Sequence, residues 1–290
     1  MTDVRRHVYL QATDVPRVAR IVIDRAAEAN AFTLAMCAEF GQALTAAEKN
    51  DDITVIVVDA EGPDVTAGLD PAEVGGYHEN VPGVPEDRVP SLRARLRAAG
   101  DHFWGRDGIY ARILGCTKVT VLGAKGRCHD VGLNLALFCD IVVAAQDAVF
   151  ANPRWQHVGV DGDVSMLLAT VGRKRANELM FAGAEWSADQ ALAAGLVNQV
   201  VPKGGSTEGA MDVARTVSTI MRDGIAAEKY LTLASTEKMG IGAGFATAAM
   251  MTAMSSTIHF REGEFNFLRE RKNRGLEAAI ERAVAAKSLR

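Results

Sequence analysis

Hydrophobic and polar positions divide the chain into an alternation of strand-like and helix-like segments. VARIVID at 18–24 is rich in β-branched side chains, and ITVIVVD at 53–59 is a nearly continuous apolar run of the kind that a sheet buries on both faces. Between them Leu34, Met36, Phe40 and Leu44 recur near helical spacing over 34–48. Strand, helix and strand in that order predict a βαβ unit with a parallel pair and a right-handed crossover. A helical stretch around 101–115 leads to a strand near 118–123, a turn at Gly126, an apolar helix over 131–138 that Asp140 ends, and a strand at 141–145.

Further on, 164–183 and 187–194 read as helices, the second with Ser187 as N-cap and Gly195 as its stop. LVNQVVP at 196–202 reads as a short strand closed by proline, and 206–290 is helical in pattern almost throughout. The segment 71–100 interrupts the alternation with Pro71, Pro82, Pro85, Pro90 and the Gly75–Gly76 pair, which predicts a loop or lid. These patterns predict an α/β domain over 1–205 followed by a helical subdomain over 206–290.

Composition narrows the function classes. With 290 residues, 48% apolar and 23% charged, the chain is long enough to bury a core without disulfides or metal staples. Its 32 basic and 36 acidic side chains give a formal charge of −4 and no basic stripe, which argues against nucleic acid as a partner. Cys37, Cys116, Cys128 and Cys139 are scattered without metal-ligand spacing, so reduced thiols, a cytoplasmic location and no metal are expected. The N-terminal MTDVRRHVYLQATDV lacks an apolar core of signal-peptide length, so secretion is not expected. Residues 239–260 carry no formal charge, a span-like length, yet their Ala, Gly, Thr, Ser and Met content predicts a helix packed in protein rather than in membrane.

Five segments carry a resemblance: DRAAEANAF (24–32), VIVVDAEGPDVTAGLDP (55–71), KGRCHDVGLNLALFCDIVVAAQDAVFANPRW (125–155), VGRKRANELMFAGAEWSADQALAAGLVNQVVP (171–202) and FREGEFNFLRERK (260–272). Together, in this order, they resemble the crotonase superfamily, the enoyl-CoA hydratase/isomerase fold, over about two thirds of the chain. The resemblance implies a crotonase-like spiral of ββα units with a helical C-terminal subdomain. It also implies an acyl-CoA thioester as substrate, no cofactor beyond the coenzyme A of that substrate, and a homotrimer or homohexamer packed through the C-terminal helices. By position, the thioester oxygen would sit in an oxyanion hole made by the amides of Leu69, after Ala67–Gly68, and of Val131. Asp70 and Gly132 flank those donors, and Arg25 matches the family's basic residue near the CoA phosphates, with Arg269, Arg271 and Lys272 as looser candidates.

The pattern fails where the family's hydratases carry two glutamates. Those positions are Asn134 and Arg154, neither of which is a base at neutral pH. The family's Gly-Gly-Gly turn is here Asp130-Val131-Gly132, in which Asp130 reads as an N-cap. By the same resemblance, an ungapped count from Trp155 puts Asp163 where the chlorobenzoyl-CoA dehalogenase branch carries its nucleophilic aspartate. Asp163 is therefore the leading catalytic candidate, although an N-cap of the helix near Val164 suits it equally, and Asp161 is a weaker version of the same idea. Arg154 is placed to bind an acidic group or to hold Asp163 ionised. His157 is a candidate proton shuttle, and Trp104 and Trp155 are candidates for an acyl pocket, with Asp107 and His102 in uncertain register. Three functions follow: a hydratase-like enzyme in which Asp163 replaces the glutamates, a hydrolase of the same fold, and a non-catalytic acyl-CoA binder.

Overall fold

The structure, a computed structural model, describes residues 6–74, 81, 83–85, 87–158, 162, 164–254 and 261–288. Asp161, Asp163, the Gly75–Gly76 pair, Pro82 and residues 255–260 lie outside the described residues.

A six-stranded sheet forms the centre: β1 (Val8–Ala12), β2 (Val18–Ile23), β3 (Val55–Ala60), β4 (Val119–Ala124), β6 (Ile141–Ala145) and β9 (Gln199–Val201), side by side in that order. β1 pairs antiparallel with β2, and every other neighbour pair is parallel. Successive side chains of a strand point to opposite faces, and β3 shows the result. Val55 and Val57 pack with Val121, Val143 and the helix α8 (Ser206–Val217) on one side, whereas Ile56 and Val58 join the larger core with Met36, Phe40 and Leu44 of α1 (Leu34–Lys49). Both faces of the central strands are therefore covered, which is why their sequence runs without polar alternation.

A second, three-stranded sheet is set by β5 (Arg127–His129), β7 (Val149–Ala151) and β8 (Trp186–Ser187). Between the two sheets runs α4 (Val131–Phe138), on which all eight residues are buried. Near it α2 (Leu92–Ala99), a wide turn at Gly100–Trp104 and α3 (Ile109–Leu114) build an aromatic wall. In that wall the Trp104 and Tyr110 rings lie 4.8 Å apart, and Tyr110 stacks on Phe138 at 5.3 Å. The chain continues through the single turn α5 (Trp155–Val158), α6 (Val164–Ala182) and α7 (Ala188–Ala194), then α9 (Arg222–Lys238), α10 (Ile241–Met254), α11 (Phe267–Arg274) and α12 (Leu276–Ser288).

Three expectations change. The segment 71–100 is not loop throughout, because α2 starts at Leu92 with Ser91 as its N-cap, accepting from the Ala94 amide at 3.2 Å. The prolines that precede it obscured a short amphipathic turn. The helix expected over 101–115 is broken by Gly105 and Gly108; a Cβ at Gly108 would lie 2.4 Å from the Phe103 carbonyl, so the chain doubles back there as only glycine permits. The strand β1 and the second sheet were not foreseen: β5, β7 and β8 have only two or three residues each, too few for a period to register, and β1, with Leu10 only partly covered and Gln11 exposed, follows the polar start of the chain. α10, within the uncharged stretch, packs against α2, α6 and α9. Among the described residues no helix is long and apolar enough to cross a membrane.

Candidate active site

The loop from 61 to 70 is fastened at both ends before it reaches the site. Asp64 accepts from the Arg127 backbone N–H and from its guanidinium, both at 2.7 Å, while Asn30 Nδ2 donates to the carbonyls of Glu61 and Asp64 at 2.8 and 2.9 Å. Burial pushes the Asp64 carboxyl up, but the hydrogen bonds and charge of Arg127 more than reverse this and hold it below its ordinary value. Two isolated bridges, Thr66 to Cys128 and Phe32 to Leu69, then lay the loop against β5 and the segment before α1. At Gly68 the backbone turns with φ +105°, and a Cβ there would meet the Asp130 Cβ at 3.0 Å. This turn carries the Leu69 N–H to Asp130 Oδ2 at 3.2 Å.

Across from Leu69, α4 begins at Val131. As the first helical residue, Val131 has an N–H with no partner inside the helix. Gly132 follows where a Cβ would sit 3.1 Å from Thr66 Cγ2, so the helix start and the loop touch closely.

Asp130 corrects an expectation. It occupies the N-cap position, at φ 50° and ψ −96°, but its side chain makes no capping hydrogen bond. Its carboxylate turns inward instead. Oδ2 accepts from the Leu69 N–H and from Arg154 Nε at 2.9 Å; Oδ1 accepts from Arg154 Nη2 at 2.9 Å and from Asn152 Nδ2 at 3.4 Å. A bidentate guanidinium–carboxylate pair thus lies in the core of the site, Asp130 being 3% exposed. The described charge partner of Arg154 is Asp130.

Two cavities meet at this pair. The inner one, about 10 Å³, is lined by Phe103, Trp104, Tyr110, Val131, Asn134 and Thr252 together with Leu69, Asp130 and Arg154. The outer one, about 220 Å³ and mostly apolar, is lined by Ala67, Pro71, Val74, His157, Phe267 and Val284 among others, and again by Leu69, Asp130 and Arg154. Among the described lining residues of both, Asp130 is the only carboxylate. Burial, then the nearby Asp130 charge, push the Tyr110 phenol well above its ordinary value, against a hydrogen bond with Asn134. Tyr110 is therefore a neutral group in this wall.

Of the residues expected at a site, Leu69, Val131 and Arg154 come together, with Ala67, Gly68 and Gly132 shaping the approach and His157 on the outer wall, its ring edge-on to Phe265 at 5.3 Å. Trp104 lines the inner cavity, while Trp155 is buried in the core and lines neither. Arg25 and Asp70 pair with each other at 2.7 Å, and Arg25 also donates to the Ala31 carbonyl. His102 turns back to the Ala98 carbonyl at 2.8 Å. Arg271 reaches the Val74 carbonyl at 2.6 Å, tying α11 to the rim of the outer cavity. Asn134, expected at one of the family's glutamate positions, lines the inner cavity. Tyr110, Thr252 and the α12 residue Val284 were not foreseen as lining; Tyr110 had a signal in its aromatic neighbours, whereas Thr252 and Val284 come from helices more than a hundred residues away. Among the described residues no group of three or more His, Cys, Asp or Glu side chains is placed to hold a metal ion.

The Leu69 amide of the 61–70 loop and the start of α4 thus face the junction of two cavities in an α/β core, the setting of an enzyme site rather than of a structural seam. A sequence profile described as Enoyl-CoA hydratase/isomerase matches residues 15–274, and the chain belongs to that family. It is 27% identical to the 2,3-dehydroadipyl-CoA hydratase of Escherichia coli strain K12, over 88% of this chain and 93% of the relative. It is also 28% identical to the 4-chlorobenzoyl coenzyme A dehalogenase-2 of Arthrobacter sp, over 73% and 72%. The crystal structure of an enoyl-CoA hydratase/isomerase from Xanthobacter autotrophicus Py2 superposes with a TM-score of 0.78 at 25% identity, covering 97% of this chain and 98% of that one. The crotonase-type fold expected from the five segments is the fold found.

Proposed function

We propose that the chain is an acyl-CoA enzyme that holds the thioester oxygen between the amides of Leu69 and Val131 and carries out water chemistry without a glutamate pair. The observation that carries this reading is the meeting of the two cavities at Leu69, Asp130 and Arg154. A pantetheine arm lying in the outer, apolar cavity brings its thioester to this junction and its acyl group toward Tyr110 and Trp104. Donors fixed in a water-poor site stabilise charge that develops on the oxygen, as enolate or tetrahedral adduct, without reorganising at the moment of reaction. The helix that starts at Val131 adds its positive end to the same point. Arg25 is proposed for the CoA phosphates, and Asp163 for the base or nucleophile.

A second reading, hydrolysis of a thioester, ring ketone or activated aryl carbon, is favoured by one observation: the two positions flanking the junction are Asn134 and Arg154, so the paired carboxylates that hydration uses are missing there. A screen of CoA thioesters, aromatic and alicyclic acids included, followed by mass spectrometry, separates the two. Slow or absent crotonyl-CoA hydration together with turnover of another thioester that Asp163→Asn abolishes supports the hydrolytic reading. Hydration of crotonyl-CoA that requires Asp163 supports the first. Calorimetry that detects no binding of any CoA thioester contradicts both.

A further inference from the structure

The Asp130 carboxylate marks a single anion position. Its Oδ2 is one atom that accepts two hydrogen bonds from different parts of the chain, the Leu69 N–H at 3.2 Å and Arg154 Nε at 2.9 Å. The Leu69 amide is also the donor assigned above to the acyl oxygen. Two oxygens cannot share that amide in the same place, so an acyl oxygen that uses Leu69 displaces Asp130 Oδ2 and inherits its second donor, the guanidinium. Arg154 keeps a second contact with the same carboxylate, Nη2 donating to Oδ1 at 2.9 Å, so loss of the Oδ2 bond alone does not leave the guanidinium unpaired.

Resting on the acyl-CoA reading, we propose that Arg154 is a catalytic residue: its Nε–H is a charged donor of the oxyanion position, and Asp130 is the internal anion that the acyl oxygen displaces. This explains how a chain with no glutamate at position 134 or 154 still carries catalytic capacity at the junction. A guanidinium cannot remove a proton at neutral pH, but it stabilises a developing oxyanion more strongly than a neutral amide does, since hydrogen bonds to a charged donor are the shorter and stronger kind. It explains the burial of the pair as well. A guanidinium held for the reaction, 20% exposed beside an apolar cavity, needs an anion between turnovers, and Asp130 supplies one. Asp130 is thereby a positioning residue whose carboxylate sets both the resting charge balance and the barrier to entry.

The test uses acetate as the probe. Asp130→Gly removes the internal oxygen and suits the backbone, since φ at residue 130 is 50°; Asp130→Ser serves if the glycine variant does not fold. In thermal melts at fixed ionic strength, acetate raises the melting temperature of the variant and leaves the wild type unmoved, because only the variant has an open position. The response disappears in the double variant with Arg154→Gln. Butyryl-CoA binds the single variant about tenfold or more tighter than the wild type, the competing carboxylate being gone, and it abolishes the acetate response. A folded single variant that ignores acetate, or one whose response survives Arg154→Gln, overturns the anion position. If butyryl-CoA and acetate bind together, the acyl-CoA reading stands and the shared position falls. No binding of butyryl-CoA to either protein overturns the acyl-oxygen assignment and the acyl-CoA reading with it. For an identified substrate, Arg154→Lys lowers kcat by roughly 100-fold with KM nearly unchanged; a change in KM alone overturns the catalytic assignment.

Discussion

Arg154 and Asp130 are, at the scale of single residues, a buried pair whose halves do not substitute for each other. Arg154→Gln leaves a carboxylate at 3% exposure with only the Leu69 amide and Asn152 among its described donors. Removing one partner of such a pair costs on the order of 3 kcal/mol, and urea unfolding of the variant against the wild type measures it. A loss below about 1 kcal/mol would mean that the pair is solvent-screened in the manner of a surface bridge. Gly68→Ala tests the opposite wall. The φ of +105° and the 3.0 Å approach to Asp130 Cβ place its cost at about 1–3 kcal/mol, with weaker acyl-CoA binding, because the Leu69 amide is carried by that turn. Unchanged binding would show that Leu69 is not a donor.

At the scale of elements, the parts set by long periods were legible and those set by contact were not. The helix expected over 131–138 spans those residues, and Ser187 and Gly195 are the cap and the stop anticipated, Ser187 closing a capping box with Gln190 and Gly195 turning left-handed. Both rest on signals that lie within one segment. Asp130 was misread because a residue before a helix has a strong local prior for capping, whereas its actual partners, Leu69 and Arg154, are brought to it from distant loops. The same reason hid Thr252 and Val284. The fastening of the 61–70 loop carries a pH signature. The Asp64 carboxyl is held below its ordinary value in the folded chain, so the stability it contributes is complete above about pH 4, the unfolded value, and is lost as pH falls through the lower folded value. Arg127→Gln removes that contribution. The stability gap between variant and wild type is expected to be widest above about pH 4 and to narrow as pH falls below it through the lowered folded value; a gap independent of pH would contradict the clamp.

For the whole molecule, the expectation of reduced thiols becomes a measurement. All four cysteines are free and buried, and burial pushes the Cys116 thiol up to about 12 and likewise raises Cys37, Cys128 and Cys139 above their ordinary value. A thiol reagent at pH 8 should therefore find none of them in the native protein and all four in guanidinium; rapid labelling of one would reveal local opening of the core. The C-terminal helices raise a second question. Tyr230 and Leu231 of α9 are 63% and 68% exposed, with Met221 and Met239 at its ends also exposed. They fit the trimer or hexamer expected from the resemblance, and elution as a monomer in gel filtration would contradict that assembly.

The central claim is that a thioester oxygen is polarised where Leu69 and Arg154 converge. Infrared difference spectroscopy of bound butyryl-CoA, carrying ¹³C at the thioester carbon, reads that oxygen directly. The account predicts a carbonyl band at lower frequency than in free butyryl-CoA, with a smaller displacement in Arg154→Gln. A band at its solution frequency in the wild-type complex, or one equally displaced in the variant, would contradict it.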